Sequence, residues 1–355
     1  MKNKALVVGV SGIAGSNLAK ELIAQDWTVY GLARNPKGIV DGVIPIAADL
    51  LDTEGLAIAL QDIAPTHVYF TTWMRKDTET ENIIVNATLV RNLLDVLSPK
   101  QSIKHVALVT GLKHYLGPFE SYVKSGILPI TPVREEHPRL ELENFYYAQE
   151  DEVYKASERD GFTWSIHRPH TLIGHAVGNL MNMGITLAVY ASICKEEGLP
   201  MVWPGSEAQW NGVSDVTDVS VLAKQLVWAS TTDTAKNQAF NVTNGDVFRW
   251  KWLWEEIANY FDIPFEGYKD TIRPLEATLL QKSEVWQTII AKHKLLAMDL
   301  GTLVSPWHTD ADLGRPIEVI TDMSKSRRLG FTTYKPTKDS FIELFEQLKA
   351  ERLIP

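Results

Sequence analysis

Apolar positions along this chain recur with two alternating periods. In "KALVVGVSGIAGSNLAKELIAQDW" a compact apolar run gives way to Leu18, Leu22 and neighbouring alanines at helical spacing. That change of period predicts a strand, a tight turn and a helix. "TVYGLAR" supplies the next strand, and "HVYFTTW" and "HVALVTG" supply later ones. Between those last two, "NIIVNATLVRNLLDVL" has helical length and recurring apolar positions. Strands that alternate with helices assemble most economically as a parallel α/β sheet.

Beyond "GFTWSIHRPHTLIG" the pattern changes. A Met-rich segment, "GNLMNMGITLAVYASICKEE", is followed by "LPMVWPG" and "VSDVTDVSVLAKQLVWAS". This alternation of loops and helices is expected to form a smaller cap interleaved with returning core elements near 212–245. The organisation expected is therefore a core over 1–175, a cap over 176–340, and a closing helix and tail over 341–355. The tail begins within the amphipathic "TKDSFIELFEQLKAE". In "AFNVTNGDVFRWKWLWEEIANYF" a strand and a Gly-containing turn precede an aromatic helix, whose tryptophans read as packing rather than as a stacking platform for bases. No internal repeat or low-complexity linker is visible.

Composition narrows the function classes. The chain has 355 residues, 45% of them apolar, and a formal charge of -9; its calculated pI is about 5.5. That balance opposes general attraction to a phosphate backbone, so no nucleic-acid partner is expected. Cys194 is the only cysteine, which excludes an intramolecular disulfide and fits a reducing, cytoplasmic location. "MKNKALVVGVSGIAGS" reads as a buried strand rather than a leader, and no apolar run is long enough for stable membrane insertion. His114 and His167 lack a compelling set of neighbouring ligands, so no metal is expected.

Gly9, Gly12 and Gly15 lie between the first strand and its helix. This spacing can bring backbone amides and a helix N-terminus to a pyrophosphate; a structural tight turn is the alternative. Arg34 follows the second strand, where an acid would often meet the ribose hydroxyls of NAD. An arginine there can instead hold an additional ribose phosphate, which favours NADPH, unless Arg34 is simply a surface charge. Asp49 and Leu50 follow the third strand in "IAADLLD" and are placed at the adenine, with a helix cap as the competing role for Asp49. Thr72 and Val109 are candidates for the cofactor trench or for strand-end packing. Ile13 and Asn35 complete the expected cofactor-binding set on this stretch of chain.

The chemistry centres on "ENFYYAQEDEVY", where Tyr146 and Tyr147 are followed four residues later by Glu150 and Asp151 rather than lysine. A lysine occurs elsewhere, at Lys113 in "TGLKHYLGPFESY", just beyond a strand. Together with "WSIHRPHTLIG", "ICKEEG", "VSDVTDV" and "AFNVTNGDVFRWK", these motifs resemble the progesterone 5β-reductase and iridoid-synthase-like (PRISE) group of short-chain dehydrogenases/reductases over almost the full chain. The resemblance implies a Rossmann-like doubly wound parallel sheet with a smaller, interleaved substrate-binding cap. It also implies NADPH, converted to NADP+, as cofactor and small apolar enones, some of them steroidal, as substrates. Lys113 and Tyr146 then match the catalytic pair, with Tyr147 the alternative registration. Adjacent helical residues point about 100° apart, so only one tyrosine can serve the reacting oxygen.

Hydride addition to the β-carbon of an enone builds negative charge on its carbonyl oxygen, which a fixed phenol can stabilise. Lys113 would hold the nicotinamide ribose or support the phenol electrostatically. Phe119 and Tyr115 are expected as an aromatic wall, Pro169 and Ile173 beside the nicotinamide, and Met181 and Met183 as adaptable apolar lining. Each of these residues has a packing role as its alternative. "SDVTD", from Ser214 to Asp218, is a candidate helix cap. The competing functions are carbonyl reduction, a sugar-nucleotide epimerase- or dehydratase-like activity, and a non-catalytic NADP-sensing regulator. The sequence leaves homodimerisation open.

Overall fold

The computed structural model describes residues 2–118, 129–179 and 181–355. Its centre is a sheet of seven strands: β1 (Lys4–Val8), β2 (Thr28–Ala33), β3 (Ile44–Ala47), β4 (His67–Phe70), β5 (His105–Val109), β6 (Thr163–Pro169) and β7 (Gln238–Val242). Their order across the sheet is β7-β6-β5-β4-β1-β2-β3. Every pairing is parallel. β1 lies between β2 and β4, with Val7 opposite both Gly31 and Tyr69. Chain progression reverses at that point, which opens a crevice at the carboxyl ends of the strands.

Alternation along the strands divides the sheet between two helical layers. Leu6, Val8, Val68, Phe70 and Val106 face α2 (Thr53–Leu60), α3 (Glu79–Leu97) and α5 (Phe145–Asp160). Ala5, Val7, Tyr69 and Ala107 face α1 (Ile13–Ala24) and α8 (Val219–Thr231). Leu6, Leu18 and Leu22 are fully buried, and burying one leucine contributes about 2 kcal/mol. The helices begin where side chains satisfy their first amides. Thr78 and Glu81 form a reciprocal capping box on α3, and Asn144 caps α5. Gly161, in the left-handed region at φ 77°, ends α5.

The second core builds the cap. It gathers α6 (Met183–Glu197), α9 (Trp250–Phe261), α10 (Ser283–His293) and α14 (Thr337–Ala350) around Trp203, Trp254 and Trp286. The ring of Trp203 lies 5.0 Å from that of Trp254 and 5.8 Å from that of Trp250, so these tryptophans pack on one another. The chain passes back and forth between the two cores: α8 and β7 return from the cap to the sheet before α9 re-enters the cap.

Candidate active site

A cavity of about 410 Å³ opens beyond the ends of β1, β4, β5 and β6, bordered by Gly9, Thr72, Val109 and Pro169. A second hollow of about 290 Å³ runs towards β2 and β3 and shares Gly9, Ser11, Thr72, Trp73 and Arg75 with the first. The two make one groove across the point where strand order reverses, at the position the doubly wound fold dictates.

Gly9 holds φ at 84°, and a Cβ there would come within 2.7 Å of the Thr72 side chain. A Cβ on Gly15 would approach the Gly9 carbonyl oxygen to 2.3 Å, so Gly15 permits close contact between helix and strand and is not itself a lining residue. Ile13 and Ala14, at the start of α1, face the cavity. That helix has no side-chain cap and no acidic residue in its first turn. Its free amides and dipole therefore suit a phosphate group, which is the structural fit for a dinucleotide.

Arg34, Asp49 and Leu50 line the second hollow. Arg34 is exposed, whereas Asp49 turns one oxygen onto the Leu51 amide at 2.9 Å. Thr72 borders both hollows. Asn35 is exposed on the loop after β2 and lines neither. Ile173 also lies outside the lining: its side chain is fully buried in the cap core.

α5 presents its two tyrosines differently. Tyr146 lines the cavity, and its hydroxyl lies so close to Gly111 that a Cβ there would sit 3.2 Å away. The Tyr147 hydroxyl donates to the carbonyl of His114 at 2.5 Å and accepts from the Leu140 amide at 3.0 Å. Burial pushes the Tyr147 phenol up. Its polar capacity is committed to structure, away from the groove.

Lys113 begins the one-turn helix α4 (Lys113–Leu116) directly beyond β5. Its ammonium lies 5.2 Å from the Trp73 ring centre and 5.4 Å from that of Phe145. Those two rings stack 5.1 Å apart. Lys113 and Tyr146 line the same cavity although they belong to different elements.

Glu150, four residues after Tyr146, turns away from the groove. Its carboxylate accepts from Arg168 at 3.2 Å and Arg139 at 2.9 Å, and lies 3.3 Å from His114 Nδ1. Burial alone would raise the Glu150 carboxyl, but the adjacent His114 ring and the Arg168 and Arg139 guanidinium groups outweigh it and hold it down to about 2. A lysine here would face two guanidinium groups.

Part of the cavity lining comes from far along the chain. Trp307 and His308 on α12 (Pro306–Leu313), with Asp312 and Arg315, close the cavity together with His170 and Thr171. Arg315 donates to His170 Nε2 at 2.7 Å, and His170 Nδ1 meets Asp215 at 2.7 Å. Arg75 stacks 4.4 Å over Trp307 and so joins the strand-end loop to the cap. Sequence reading missed this wall because no periodic or motif signal links residues so far apart. "WMRKD", an aromatic and basic run immediately after a strand, was the signal for Trp73 and Arg75.

Tyr115 is buried behind the cavity, where its hydroxyl donates to Asn241 at 2.7 Å; Phe119 lies outside the described residues. Pro169 and Met181 line the cavity, whereas Met183 belongs to the cap core. Asp218 caps α8 through the Ser220 amide at 2.8 Å. Among the described residues, no three His, Cys, Asp or Glu side chains are grouped to hold a metal, and no helix is long and apolar enough to cross a membrane.

Solved structures share this architecture. The UDP-glucose 4-epimerase of Thermotoga maritima superimposes with a TM-score of 0.68 at 12% identity, covering 98% of this chain and 99% of that one. The Thermus thermophilus UDP-glucose 4-epimerase in complex with NAD gives 0.67 at 16% identity, covering 98% and 99%. At those identities the likeness concerns the fold. Sequence relatives are much nearer. An (S)-8-oxocitronellyl enol synthase of Nepeta cataria is 37% identical over 363 residues, covering 99% of this chain and 93% of the relative. A 3-oxo-Delta(4,5)-steroid 5-beta-reductase of Arabidopsis thaliana is 37% identical over 366 residues, with the same coverage of each. The PRISE-like Rossmann-fold domain matches residues 46–355, which include the displaced lysine, the paired tyrosines and the distal cavity wall. With that match and full-length relatives of this similarity, the chain belongs to the PRISE family.

Proposed function

We propose that this protein reduces the carbon–carbon double bond of small apolar enones with NADPH. The observation that carries this reading is the common cavity of Tyr146 and Lys113, combined with the commitment of the Tyr147 hydroxyl elsewhere. The full-length relatives named for enol synthesis and steroid 5-beta reduction support the substrate class. When bound, the cofactor supplies a hydride to the enone β-carbon. Tyr146 donates a hydrogen bond to the carbonyl oxygen as negative charge develops there. Lys113 holds the nicotinamide ribose and biases the phenol electrostatically. Water supplies the proton to the α-carbon, which leaves the saturated carbonyl. Trp73 and Trp307, which both line the cavity, exclude water from the apolar part of the substrate. The free first amides of α1 and the Arg34 guanidinium receive the pyrophosphate and the ribose phosphate. Buried Cys194, the sole thiol, suits a reducing cytoplasmic setting.

Incubation of the purified protein with NADPH and a panel of steroidal and acyclic enones tests this reading through product analysis. Saturated carbonyl products are expected. Allylic alcohols with the alkene preserved would reject the regiochemistry. Tight NADPH binding without turnover across the panel would favour a sensing role.

A further inference from the structure

The proposed catalytic pair is divided between two elements, so something must set their relation. The Asn144 side chain hydrogen-bonds to the backbone of both residues. Asn144 Oδ1 accepts the Tyr146 amide at 3.0 Å, and its Nδ2 donates to the Lys113 carbonyl oxygen at 2.7 Å. Asn144 is buried at 4% exposure, so both bonds act in a low-dielectric setting where an unmade partner is costly. The Lys113 carbonyl also accepts the Gly117 amide at 2.9 Å, which closes the turn that carries the lysine. On the other side, the Glu79 carboxylate accepts from the Phe145 backbone amide at 2.8 Å and from the Asn82 side-chain Nδ2 at 3.2 Å. The start of α5 is thereby held between α3 and the Lys113 turn.

We infer that Asn144 is a positioning residue for reduction: it fixes the Lys113 turn against the Tyr146 turn and so sets the relation of ammonium to phenol. Capping α5 is only half of its role. Asp and Ser cap helices about as well as Asn, but ionised Asp has no donor for the Lys113 carbonyl, and Ser replaces the separate acceptor and donor of Asn144 with one hydroxyl on a shorter side chain. Asn144→Asp also puts a carboxylate oxygen against a carbonyl oxygen.

The inference rests on the Tyr146 and Lys113 assignment, and the test separates the two. Asn144→Asp and Asn144→Ser are compared with wild type for melting temperature, NADPH affinity, kcat, KM and pH–rate profile. Retained folding and cofactor affinity are expected, with kcat at least tenfold lower, enone KM little changed, and a displaced alkaline limb. In a double-mutant cycle, Asn144→Asp added to Lys113→Ala should cost little more than Lys113→Ala alone, because Asn144 acts through that turn. Wild-type kcat and pH profile in both variants would overturn the inference, as would additive losses in the cycle. Full activity of Lys113→Ala would instead overturn the site reading itself. Should both Asn144 variants fail to fold, hydrogen exchange of the Asn144 side-chain amide in the wild-type protein decides. Strong protection that changes when NADPH binds supports positioning; rapid exchange indifferent to NADPH overturns it.

Discussion

Tyr147 is bound through its hydroxyl to the His114 carbonyl, the residue next to Lys113, at 2.5 Å. One of two adjacent phenols thus fastens the lysine-bearing turn while the other faces the groove. Tyr146→Phe is expected to lower kcat by about 100-fold, the scale of losing one preorganised donor to a developing oxyanion, with melting temperature preserved. Tyr147→Phe should instead cost about 1–2 kcal/mol of stability for its two lost hydrogen bonds and retain most turnover. Parallel kinetics and thermal melts check both; the reverse pattern would transfer the catalytic role to Tyr147.

Restoring a lysine four residues after Tyr146 should fail. Glu150→Lys would remove the carboxylate that pairs with buried Arg168 and with Arg139, and put a third cation beside them. A loss of at least about 4 kcal/mol is expected from the broken buried pair. Combined with Lys113→Ala, it should not recover activity. Urea unfolding and enone turnover measure these outcomes, and a folded, active double variant would refute the assignment of Glu150 as a structural counter-ion.

Arg34 carries the cofactor prediction. In Arg34→Ala the dissociation constant for NADPH should rise about tenfold, the value of one charge-assisted contact at an exposed site. NADH binding should stay unchanged. Fluorescence titration with each nucleotide tests this, and equal effects on both would remove the ribose-phosphate role.

Acid sensitivity is built into the sheet. His105 Nε2 and His167 Nε2 both meet Ser165 Oγ at 2.9 Å, and His167 Nδ1 meets Gln225 at 2.8 Å. Burial lowers His167 to about 4; burial, followed by the neighbouring His67 and His167, lowers His105 to about 3. Unfolded histidine protonates near pH 6.5. These neutral folded rings therefore contribute full stability above that value and lose it progressively as pH falls towards 4. Linkage gives about 2 kcal/mol per ring between pH 7 and 5. Urea titrations at the two values check the slope, and equal stability at both would contradict it.

The amount legible in the sequence followed the range of each signal. Gly9 and Lys113 sit in local strand-end patterns, so their neighbourhood was readable from a few residues on either side. Tyr146 was preferred only through the family motif, with Tyr147 kept as the alternative, because the direction facing the groove depends on how α5 meets the Lys113 turn. Ile173, expected beside the cofactor, packs into the cap core instead, since an apolar residue after a strand reads alike in either place. Trp307, His308 and Arg315 were invisible because their relation to the groove exists only after α12 docks.

The division of Lys113 and Tyr146 between α4 and α5 has a consequence for how such a site can change. A lysine four residues from a tyrosine on one helix has a separation fixed by helical pitch, about 6 Å between Cβ atoms. Here the separation belongs to a tertiary interface, and any substitution that shifts α5 against the strand-end turn by a fraction of an ångström alters it. Reactivity becomes continuously adjustable, open to selection at residues that never meet substrate and equally exposed to accidental loss at those residues.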